Sequence, residues 1–586
     1  MAGLLKFVAD VGITLHTISL GQGQGPKAEL LMKNSMKDGS WVILQNCHLA
    51  TSWMPSLERI CEQMNPKECK KTYRLWCTTY PSPDFPVSIL QNAVKMTVEP
   101  PAGMRANIIG SYKNDPISDP AFFSSVEKAG EFRTLLYSLC FFHANIQERR
   151  EFGALGWNNP YEFNESDLRI TIKQLAMFLD LYEKLPFKAL NYCTGQCNYG
   201  GRVTDDKDRR LLMTLLKDYF CPEVLLEGHS ITKSGSYKMP PDGTWEAYVH
   251  FAEALPLSVD PEVFCLHENA NMTKDQKSTT ELFVSILLTE EAGGGGADDD
   301  DKKTPEQILF EVAENTLSKF PDAFDMELAS LRFPTKWDNS MNTVLVQELE
   351  RFNSLVAVIK MSLKDIMNAV KGLTVMSGAI EKAGNAVFFG KVPSQWMDAS
   401  YPSLKPMASY VTDLLERLVF FQKWLDTKAP PTFWVSGFYF TQAFLTGTLQ
   451  NYARRYTIEI DDVDFDFEIM PKPQHMYRSA PKDGVYIYGL FIDGARWDAD
   501  AKVLVESQPK VLFANAPVIW LKPKASKEMS VYDNYDCPVY KTSERRGMLS
   551  TTGHSTNFVT MIRIPSDRPG DEWIKAGVAM LTQLDD

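Results

Sequence analysis

The first hundred residues alternate between short apolar runs and amphipathic stretches. The run Trp41-Val-Ile-Leu44 is bounded by polar turns, which is typical of a strand buried on both faces of a parallel sheet. Further strands are predicted at 13–19, 73–79 and 94–98. Amphipathic helices are predicted at 4–11, 26–36, 54–64 and 87–92. This order predicts an α/β layer built on a doubly wound, parallel sheet.

The pattern changes to helical spacing after Pro116. Helices are predicted at 132–150, 167–182, 211–219 and 278–288, the second of them capped by Asn164 or Ser166. The proline-rich stretch 239–275 is predicted to be irregular. A flexible linker is predicted at 293–302, where four glycines precede four aspartates. It looks like an engineered linker with a protease site, and a natural surface loop is equally consistent with it.

The second half begins with helices and ends with strands. Helices are predicted at 305–320, 340–372, 376–385 and 404–426, followed by an aromatic, buried helix at 435–452. The apolar period then changes to two, which predicts strands at 456–460, 485–491, 510–513, 518–521, 539–542 and 558–564. Six short strands separated by Asp, Gly and Pro turns predict a small β-barrel or sandwich.

Length and charge limit the class of protein. A sequence of 586 residues is too long for one core, so two to four domains are expected. A net charge of −13 argues against nucleic-acid binding. No apolar run approaches the roughly 18 residues of a membrane span, and the N-terminus lacks the layout of a secretory signal. The glycosylation-like sites at Asn164 and Asn271 are therefore expected to be chance matches.

Ten scattered cysteines predict reduced thiols in a cytosol-like compartment. Cys193 and Cys197 are spaced four apart and lack matching His or Cys partners for zinc. No metal ligand is therefore assigned among them.

The residues that follow the Trp41 strand carry the main chemical argument. Gln45 and Asn46 stand where a nucleotide-hydrolysing ATPase carries acids that hold Mg²⁺ and polarise the attacking water. Amide side chains can form hydrogen bonds but supply no charge to a metal. If the fold is that of an ATPase, this copy has kept the architecture and lost the chemistry.

Four weaker features could contact a phosphate, and each has a simpler interpretation. The turn Gly21–Gly25 lies between a strand and a helix, so it either binds an anion or is only a tight turn. The segment 384–392 has five residues between its glycines and ends in Val, so a helix end is favoured over a P-loop. Thr78-Thr79 could sense a γ-phosphate or cap a strand. Arg105 could reach a phosphate or a neighbouring subunit, or form a surface salt bridge.

Two acidic clusters complete the candidates. Asp205, Asp206 and Asp208 could bind a metal or act as acid and base, but the following arginines favour a helix N-terminus with internal ion pairs. The aspartates of the segment 461–466 could attract Ca²⁺. That segment lacks the Gly and the terminal Glu of a calcium loop, which favours a solvated strand edge.

Long stretches of the sequence resemble a known family. They include Trp41-Val-Ile-Leu-Gln-Asn-Cys-His-Leu-Ala-Thr-Ser-Trp-Met54 and the segments 18–26, 80–86, 153–158, 197–206, 267–271, 436–444 and 484–497. Together they resemble the C-terminal end of an axonemal dynein heavy chain of the single-headed, inner-arm group. None of these stretches is a common short motif, and together they span nearly all of the sequence.

The resemblance implies a domain assignment. Residues 1–115 correspond to the α/β large subdomain of the sixth AAA+ module, incomplete at its N-terminus, and 116–290 to its helical lid. A linker at 291–303 leads to an α+β C-terminal domain, with helices at 304–455 and a small β-barrel at 456–586. The protein is then expected to be a fragment that starts inside the module, with residues 1–115 poorly stable alone because a sheet edge is exposed.

The resemblance also implies a function. The family's sixth module is structural, which agrees with Gln45 and Asn46, so no catalytic, cofactor or metal residue is expected, and ATP and Mg²⁺ belong to other modules. The expected role is to close the AAA+ ring beside the first and fifth modules of a ciliary microtubule motor. Microtubules are contacted only through the parent motor, at the axoneme of a cilium or flagellum. Neither nucleic acid nor membrane is expected as a partner.

Two other functions stay open. The protein could be an ATP-binding module, for which Mg²⁺-dependent nucleotide binding would be the discriminating observation. It could also be an adaptor that docks through the C-terminal barrel, for which an exposed patch of Tyr486, Tyr488 and Trp497 would be the discriminating observation. These aromatic side chains are expected to be mostly buried.

Overall fold

The computed structural model describes residues 2–21, 23–65, 67–80, 82, 84–96, 101–291, 304–526, 534–548 and 555–586. The protein forms two compact units, Met1–Pro100 and Pro101–Asp586. The predicted linker at 293–302 lies outside the described residues. No helix in the described part of the protein is both long enough and apolar enough to span a bilayer.

The first unit is an α/β layer, as the sequence predicts. Its elements are α1 (Ala2–Val11), β1 (Leu15–Ser19), α2 (Gly25–Asp38), β2 (Trp41–Gln45), α3 (Met54–Glu62), β3 (Arg74–Cys77) and α4 (Val87–Asn92). The three strands are parallel, in the order β1-β2-β3. Residues 94–96 of the predicted strand 94–98 form no strand, and 97–98 lie outside the described residues.

The central strand β2 forms because its side chains can be buried on both faces. Val42, Ile43 and Leu44 have no exposed surface. Leu44 is paired with Ile18 of β1 and with Cys77 of β3, so the carboxyl ends of all three strands meet at one edge of the sheet.

The second unit begins with helices. They are α5 (Met104–Lys113), α6 (Pro120–Phe123), α7 (Ala129–Glu148), α8 (Glu165–Leu181), α9 (Phe187–Tyr192), α10 (Asp206–Tyr219), α11 (Trp245–Glu253) and α12 (Ala270–Glu291). Asn164 caps α8 in a capping box with Asp167, which confirms one of the two predicted caps. The prediction of an irregular stretch at 239–275 is wrong where Thr244 caps α11.

Helices continue after the linker. They are α13 (Pro305–Lys319), α14 (Met326–Arg332), α15 (Ser340–Val370), α16 (Gly378–Phe388), α17 (Ser394–Asp398), α18 (Met407–Asp426), α19 (Thr441–Tyr456) and α20 (Gly570–Lys575). The predicted helix at 435–452 begins later, at Thr441, because Val435–Gly437 form a short 3-10 turn.

The strands of the second unit form open sheets. They are β4 (Thr432–Trp434), β5 (Val463–Ile469), β6 (Val485–Tyr488), β7 (Phe491–Asp493), β8 (Ala495–Asp498), β9 (Val503–Glu506), β10 (Phe513–Asn515), β11 (Ile519–Ala525), β12 (Asn534–Tyr540), β13 (Phe558–Pro565) and β14 (Ala579–Leu581). The orders are β10-β7-β14-β12-β13, β4-β6-β11-β5 and β8-β9. None of these sheets closes within the described residues, so the predicted small barrel is not confirmed.

Of the predicted strand 510–513, only Phe513 lies in a strand, β10. Two other strand predictions in the second unit are also wrong. The segment 456–460 is not a strand, because α19 continues to Tyr456 and ends at Thr457 in a left-handed conformation. The predicted strand 485–491 is two strands in different sheets, because the backbone turns at Gly489 with φ +92°. A Cβ at Gly489 would lie 2.4 Å from Cδ1 of Trp434, so only glycine fits this corner.

Candidate functional site

The edge where β1, β2 and β3 end is the first candidate site, and Asn46 lies at its centre. The backbone N–H of Asn46 donates to Oγ1 of Thr78 at 3.2 Å, and its side-chain amide donates to Oγ of Ser19 at 3.2 Å. Asn46 therefore links the ends of all three strands. It has φ 57° and ψ 45°, a left-handed conformation that Asn adopts more readily than most residues.

The backbone around Asn46 is also internally bonded. The N–H of Leu20 donates to the carbonyl of Gln45 at 2.8 Å, and the N–H of Cys47 donates to the carbonyl of Thr78 at 3.0 Å. The amide and hydroxyl groups of Asn46, Ser19 and Thr78 are neutral. The hydrogen-bonding groups at this edge are therefore already paired with one another within the sheet.

The glycine turn before α2 is tightly packed. A Cβ at Gly25 would lie 2.5 Å from Cδ1 of Trp53, and Gly23 has φ +75°. Residue 22 lies outside the described residues. Close packing against Trp53 explains Gly25, and the left-handed backbone conformation explains Gly23, so neither glycine requires an anion.

The other phosphate candidates fall into ordinary structural positions. Gly384 lies buried inside α16, where a Cβ would be 3.3 Å from Leu309, and Gly390 turns the backbone after that helix with φ +67°. Thr79 donates its hydroxyl to the carbonyl of Tyr80 at 2.8 Å. Arg105 lies half-buried in the first turn of α5.

The acidic cluster at 205–208 builds the start of α10. Asp205 caps the helix by accepting from the N–H groups of Lys207 and Asp208 at 2.8 and 3.2 Å. The buried Asp208 accepts from the backbone N–H groups of Asn158 and Asn159 at 3.0 and 3.1 Å. Burial, with a smaller effect of the Asp205 charge, raises the pKa of Asp208 to about 7.

The arginines that follow this cluster donate to backbone carbonyls. Arg209 donates to Val203 at 2.7 Å, and Arg210 donates to Asp536 at 3.3 Å. The sequence predicted the helix N-terminus at this place, together with ion pairs to the aspartates. Arg210 instead connects α10 to β12 in the C-terminal part of the protein.

The other two segments that the sequence analysis considered for a metal, 461–466 and 193–197, also have other structural roles. The acidic segment 461–466 runs into β5, an edge strand, where Asp466 pairs with Lys524 at 2.6 Å. Cys193 and Cys197 lie in a π-helical turn, and all ten cysteines are free thiols. Within the described residues, no group of three or more His, Cys, Asp or Glu side chains could hold a metal ion.

A second candidate site was not predicted from the sequence. It is the seam, which we define as the buried contacts between residues 101–291 and residues 304–586. At its centre lies Arg149, at the end of α7, with no exposed surface. Its guanidinium donates to the carbonyls of Phe264, Gly156 and Leu155, and to the carbonyl of Lys575 at 3.0 Å.

No carboxylate is among these hydrogen-bond acceptors, so the Arg149 guanidinium is held by carbonyl dipoles, and the Asp208 charge acts on it only from a distance. Burial lowers the pKa of Arg149 to about 10, which leaves it charged at neutral pH. A buried charge held by several hydrogen bonds is costly to disturb, so Arg149 fixes the position of its carbonyl partners.

Two asparagines extend the seam. The buried Asn269 donates its amide to the carbonyls of Gln508 and Val511 at 2.8 and 2.9 Å, and accepts from the N–H of Lys510 at 2.8 Å. Asn158 donates to the hydroxyl of Tyr540 at 2.8 Å.

Close backbone packing and ion pairs complete the seam. A Cβ at Gly577 would lie 2.3 Å from the carbonyl oxygen of Leu155. Around the rim, three ion pairs of 2.6–3.0 Å cross between the two parts: Asp218–Lys575, Lys217–Asp571 and Lys233–Glu572. The seam therefore has a buried polar centre and a charged, more exposed rim.

Sequence reasoning missed the seam because most of its partners are backbone carbonyls. Leu155 and Asn158 do lie in the stretch 153–158, and Asn269 in the stretch 267–271, both of which carry the family resemblance. Those stretches are the only signal that pointed to these positions.

The C-terminal sheets enclose a cavity of about 1200 Å³. Its lining includes the aromatic residues Phe467, Tyr488 and Trp497, together with two ion pairs, Lys522–Glu468 and Lys524–Asp466. Tyr486, Tyr488 and Trp497 are half-buried. They are more exposed than the sequence predicts, but they do not form the exposed patch that a docking surface would require.

Three family models match the sequence. They are the region D6 P-loop domain of the dynein heavy chain over residues 1–97, its AAA lid domain over 132–270, and its C-terminal domain over 276–582. The last covers more than half of the 586 residues.

Curated relatives match along the whole sequence. It is 54% identical over 589 residues to dynein axonemal heavy chain 3 of Mus musculus, and 51% identical over 590 residues to dynein axonemal heavy chain 12 of Rattus norvegicus. It is 49% identical over 587 residues to dynein axonemal heavy chain 1 of Mus musculus. These matches cover 100% of this protein and 14%, 19% and 14% of the relatives, so it spans about one-seventh to one-fifth of their length.

Proposed function

Because the protein belongs to the dynein heavy chain family, we propose that it is a non-catalytic, load-bearing part of a ciliary microtubule motor. ATP binding and hydrolysis would take place in other modules of the same motor. This part would close the ring of AAA+ modules and brace it during the motor cycle.

The bonding of Asn46 supports the non-catalytic part of the proposal. A working site needs a carboxylate at this strand end to hold Mg²⁺ and orient water. Here the amide of Asn46 is bonded to Ser19 and its backbone to Thr78, and these groups carry no charge. The strand end is built to hold the sheet together.

The seam carries the mechanical part of the proposal. Hydrolysis moves modules of such motors as rigid bodies, so a brace must not deform under load. Arg149 and Asn269 join segments near the start of the second unit to α20 and to the loop at 508–511 through partly buried hydrogen bonds. Residues 101–586 would therefore respond to force as one body.

The expected partners follow from this role. We propose that this part contacts the first and fifth AAA+ modules of its own heavy chain, and meets microtubules only through the parent motor. The axonemal names of its relatives support a location in the cytoskeleton of cilia or flagella. No cofactor is assigned to residues 1–586 themselves.

Nucleotide titration tests the non-catalytic proposal. We expect calorimetry of the purified protein with ATP or ADP to show no binding, with or without Mg²⁺. A variant with Gln45→Asp and Asn46→Glu should also fail to bind, because acids alone supply neither the backbone cradle nor the lysine of a P-loop. Tight, Mg²⁺-dependent binding to the unmodified protein would overturn the proposal.

Motility measurements test the mechanical proposal. In a complete heavy chain, deletion of 305–586 and the substitution Arg149→Met should both change ATPase rate, gliding velocity or force. The matched control is Arg150→Met, at the neighbouring and more exposed position. Unchanged rate, velocity and force in both altered motors would refute a bracing role.

A docking function is the second candidate, and the cavity near Trp497 favours it. A cavity of this size, with half-buried aromatic rings among charged side chains, could receive a side chain of a partner. A fluorescent apolar probe such as anilinonaphthalene sulfonate should bind the protein and lose affinity in Trp497→Ala. Trp337→Ala, at an exposed position outside the cavity lining, is the control. Equal probe binding by all three proteins would count against docking.

A further inference from the structure

Two cysteines lie side by side at the ends of β2 and β3. Cys77 is the last residue of β3 and is paired with Leu44. Cys47 follows β2 by two residues, and its N–H donates to the carbonyl of Thr78, the residue after Cys77, at 3.0 Å. The backbone turns back at the left-handed Asn46, and this turn brings Cys47 beside the end of β3.

The backbone holds the two cysteines on neighbouring, hydrogen-bonded segments. The N–H of Thr78 donates to the carbonyl of Leu44 at 2.9 Å, and the S–H of Cys47 donates to the same carbonyl at 3.6 Å. Cys47 is fully buried, whereas Cys77 is half-buried in an edge strand of the three-stranded sheet. Cys77 is therefore the member of the pair that lies nearer to solvent.

We propose that Cys47 and Cys77 form a reversible dithiol–disulfide site that responds to hydrogen peroxide. Its closure would covalently join the ends of β2 and β3. Neither the neutral strand end nor the brace function requires such a site.

The chemistry balances with peroxide as the oxidant. Peroxide oxidises one thiol of the pair, through its thiolate, to a sulfenic acid and releases one water. The sulfur of the other cysteine then attacks the sulfenic sulfur, the S–OH bond breaks, and a second water leaves with the proton of the attacking thiol. Two electrons pass from the thiols to peroxide, and a dithiol reductant reverses the step by exchange.

The electrostatics distinguish the two thiols. The neighbouring Cys77 lowers the pKa of the Cys47 thiol, and the backbone groups of Cys47 and Thr78 act in the same direction, whereas burial opposes them. The neighbouring Cys47, together with burial, raises the pKa of Cys77. Cys47 is therefore the member of the pair that forms a thiolate more readily, and the thiolate is the nucleophile.

Nearby cysteines provide an internal test of selectivity. Cys61 and Cys69 are half-buried and lie in the same unit. Trypsin cleavage after Lys and Arg places the four thiols in separate peptides: 38–59 holds Cys47, 60–67 holds Cys61, 68–70 holds Cys69 and 75–95 holds Cys77. Non-reducing peptide mapping can therefore identify each disulfide without ambiguity.

The experiment treats the full-length protein with hydrogen peroxide, blocks the remaining thiols, and maps the tryptic peptides by mass spectrometry. We expect one dominant cross-link, between peptides 38–59 and 75–95, with the loss of two hydrogens. It should disappear on reduction and be absent from Cys47→Ser and Cys77→Ser. The control Cys61→Ser should form the cross-link at the unmodified rate.

The folded state must be the cause of the selectivity. When the same oxidation is done in denaturant, the ratio of the Cys47–Cys77 cross-link to the Cys61 cross-links should fall at least tenfold. No cross-link in the folded protein, or a folded protein that favours Cys61 or Cys69 partners, would overturn the proposal. Oxidation of Cys77 that stops at the sulfenic or sulfinic acid would also overturn it.

Discussion

The guanidinium of Arg149 donates to the backbone carbonyl of Lys575 at 3.0 Å, across 426 residues of sequence. Replacing Arg149 with Met keeps much of the volume but leaves several buried carbonyls without a donor. Unsatisfied buried acceptors cost about 1–3 kcal/mol each, so we expect a loss of about 3 kcal/mol in the free energy of unfolding.

Urea unfolding of the full-length protein, followed by limited proteolysis, measures this effect. Arg150→Met should change stability by less than about 0.5 kcal/mol, because it removes only a loose, half-exposed ion pair of 3.9 Å. Equal stability of the two variants would contradict a central role for Arg149.

Asn269→Asp tests the second polar contact of the seam. The new carboxylate could still accept from the N–H of Lys510, but it would face the carbonyls of Gln508 and Val511 without donors. We expect a loss of about 2–4 kcal/mol, with faster amide exchange in residues 508–511. The matched control is Asn271→Asp, at an exposed position two residues away, which should be nearly neutral.

Gly489→Ala tests the corner between the two sheets. The added methyl would overlap the indole of Trp434, and the backbone has φ +92°. We expect a loss of about 3 kcal/mol or more, seen as a lower midpoint in thermal unfolding. Gly228→Ala has φ +73° with open space around its Cβ, so it reports the backbone strain alone, about 1–2 kcal/mol.

Asp208 gives the seam a dependence on pH. Its pKa is raised from 3.8 in the unfolded state to about 7 in the folded one, so between these values only the folded state holds the proton. The stabilising contribution of Asp208 is complete below pH 3.8 and declines as pH rises to about 7. The slope is at most about 1.4 kcal/mol per pH unit.

The difference in unfolding free energy between the wild type and Asp208→Asn, measured from about pH 4.5 to about pH 7.5, isolates this effect. We expect the unfolding free energy of the wild type, relative to that of Asp208→Asn, to fall as pH rises. Burial lowers the pKa of His143 from 6.5 to about 3, which has the opposite sign but is common to both proteins. Asp206→Asn, exposed in the same turn, should show no such trend.

The elements that the sequence predicted correctly have strong local patterns. Four consecutive apolar residues specify β2, and helical spacing over about thirty residues specifies α15. The neutral strand end could also be predicted, because Gln45 and Asn46 are read directly from the sequence. Asn46 further supplies its own left-handed turn.

The wrong predictions concern segments that non-local packing decides. Tyr456-Thr-Ile-Glu-Ile460 has β-branched residues typical of a strand, but the preceding helix continues into it and ends at Thr457. The apolar run through Gly489 looks continuous, yet the close approach of Trp434 divides it between two sheets. The contacts of Arg149 are carbonyls that any residue could supply, so no side-chain pattern predicted them.

The seam also bears on how the second unit is joined. Asn269 accepts from the N–H of Lys510 across 241 positions, and this contact lies in the seam rather than in the segment that connects the two parts. A nick between Glu291 and Thr304 should therefore yield two polypeptides that remain associated and elute together. Separately produced halves ending and starting there should complement one another into the same folded unit.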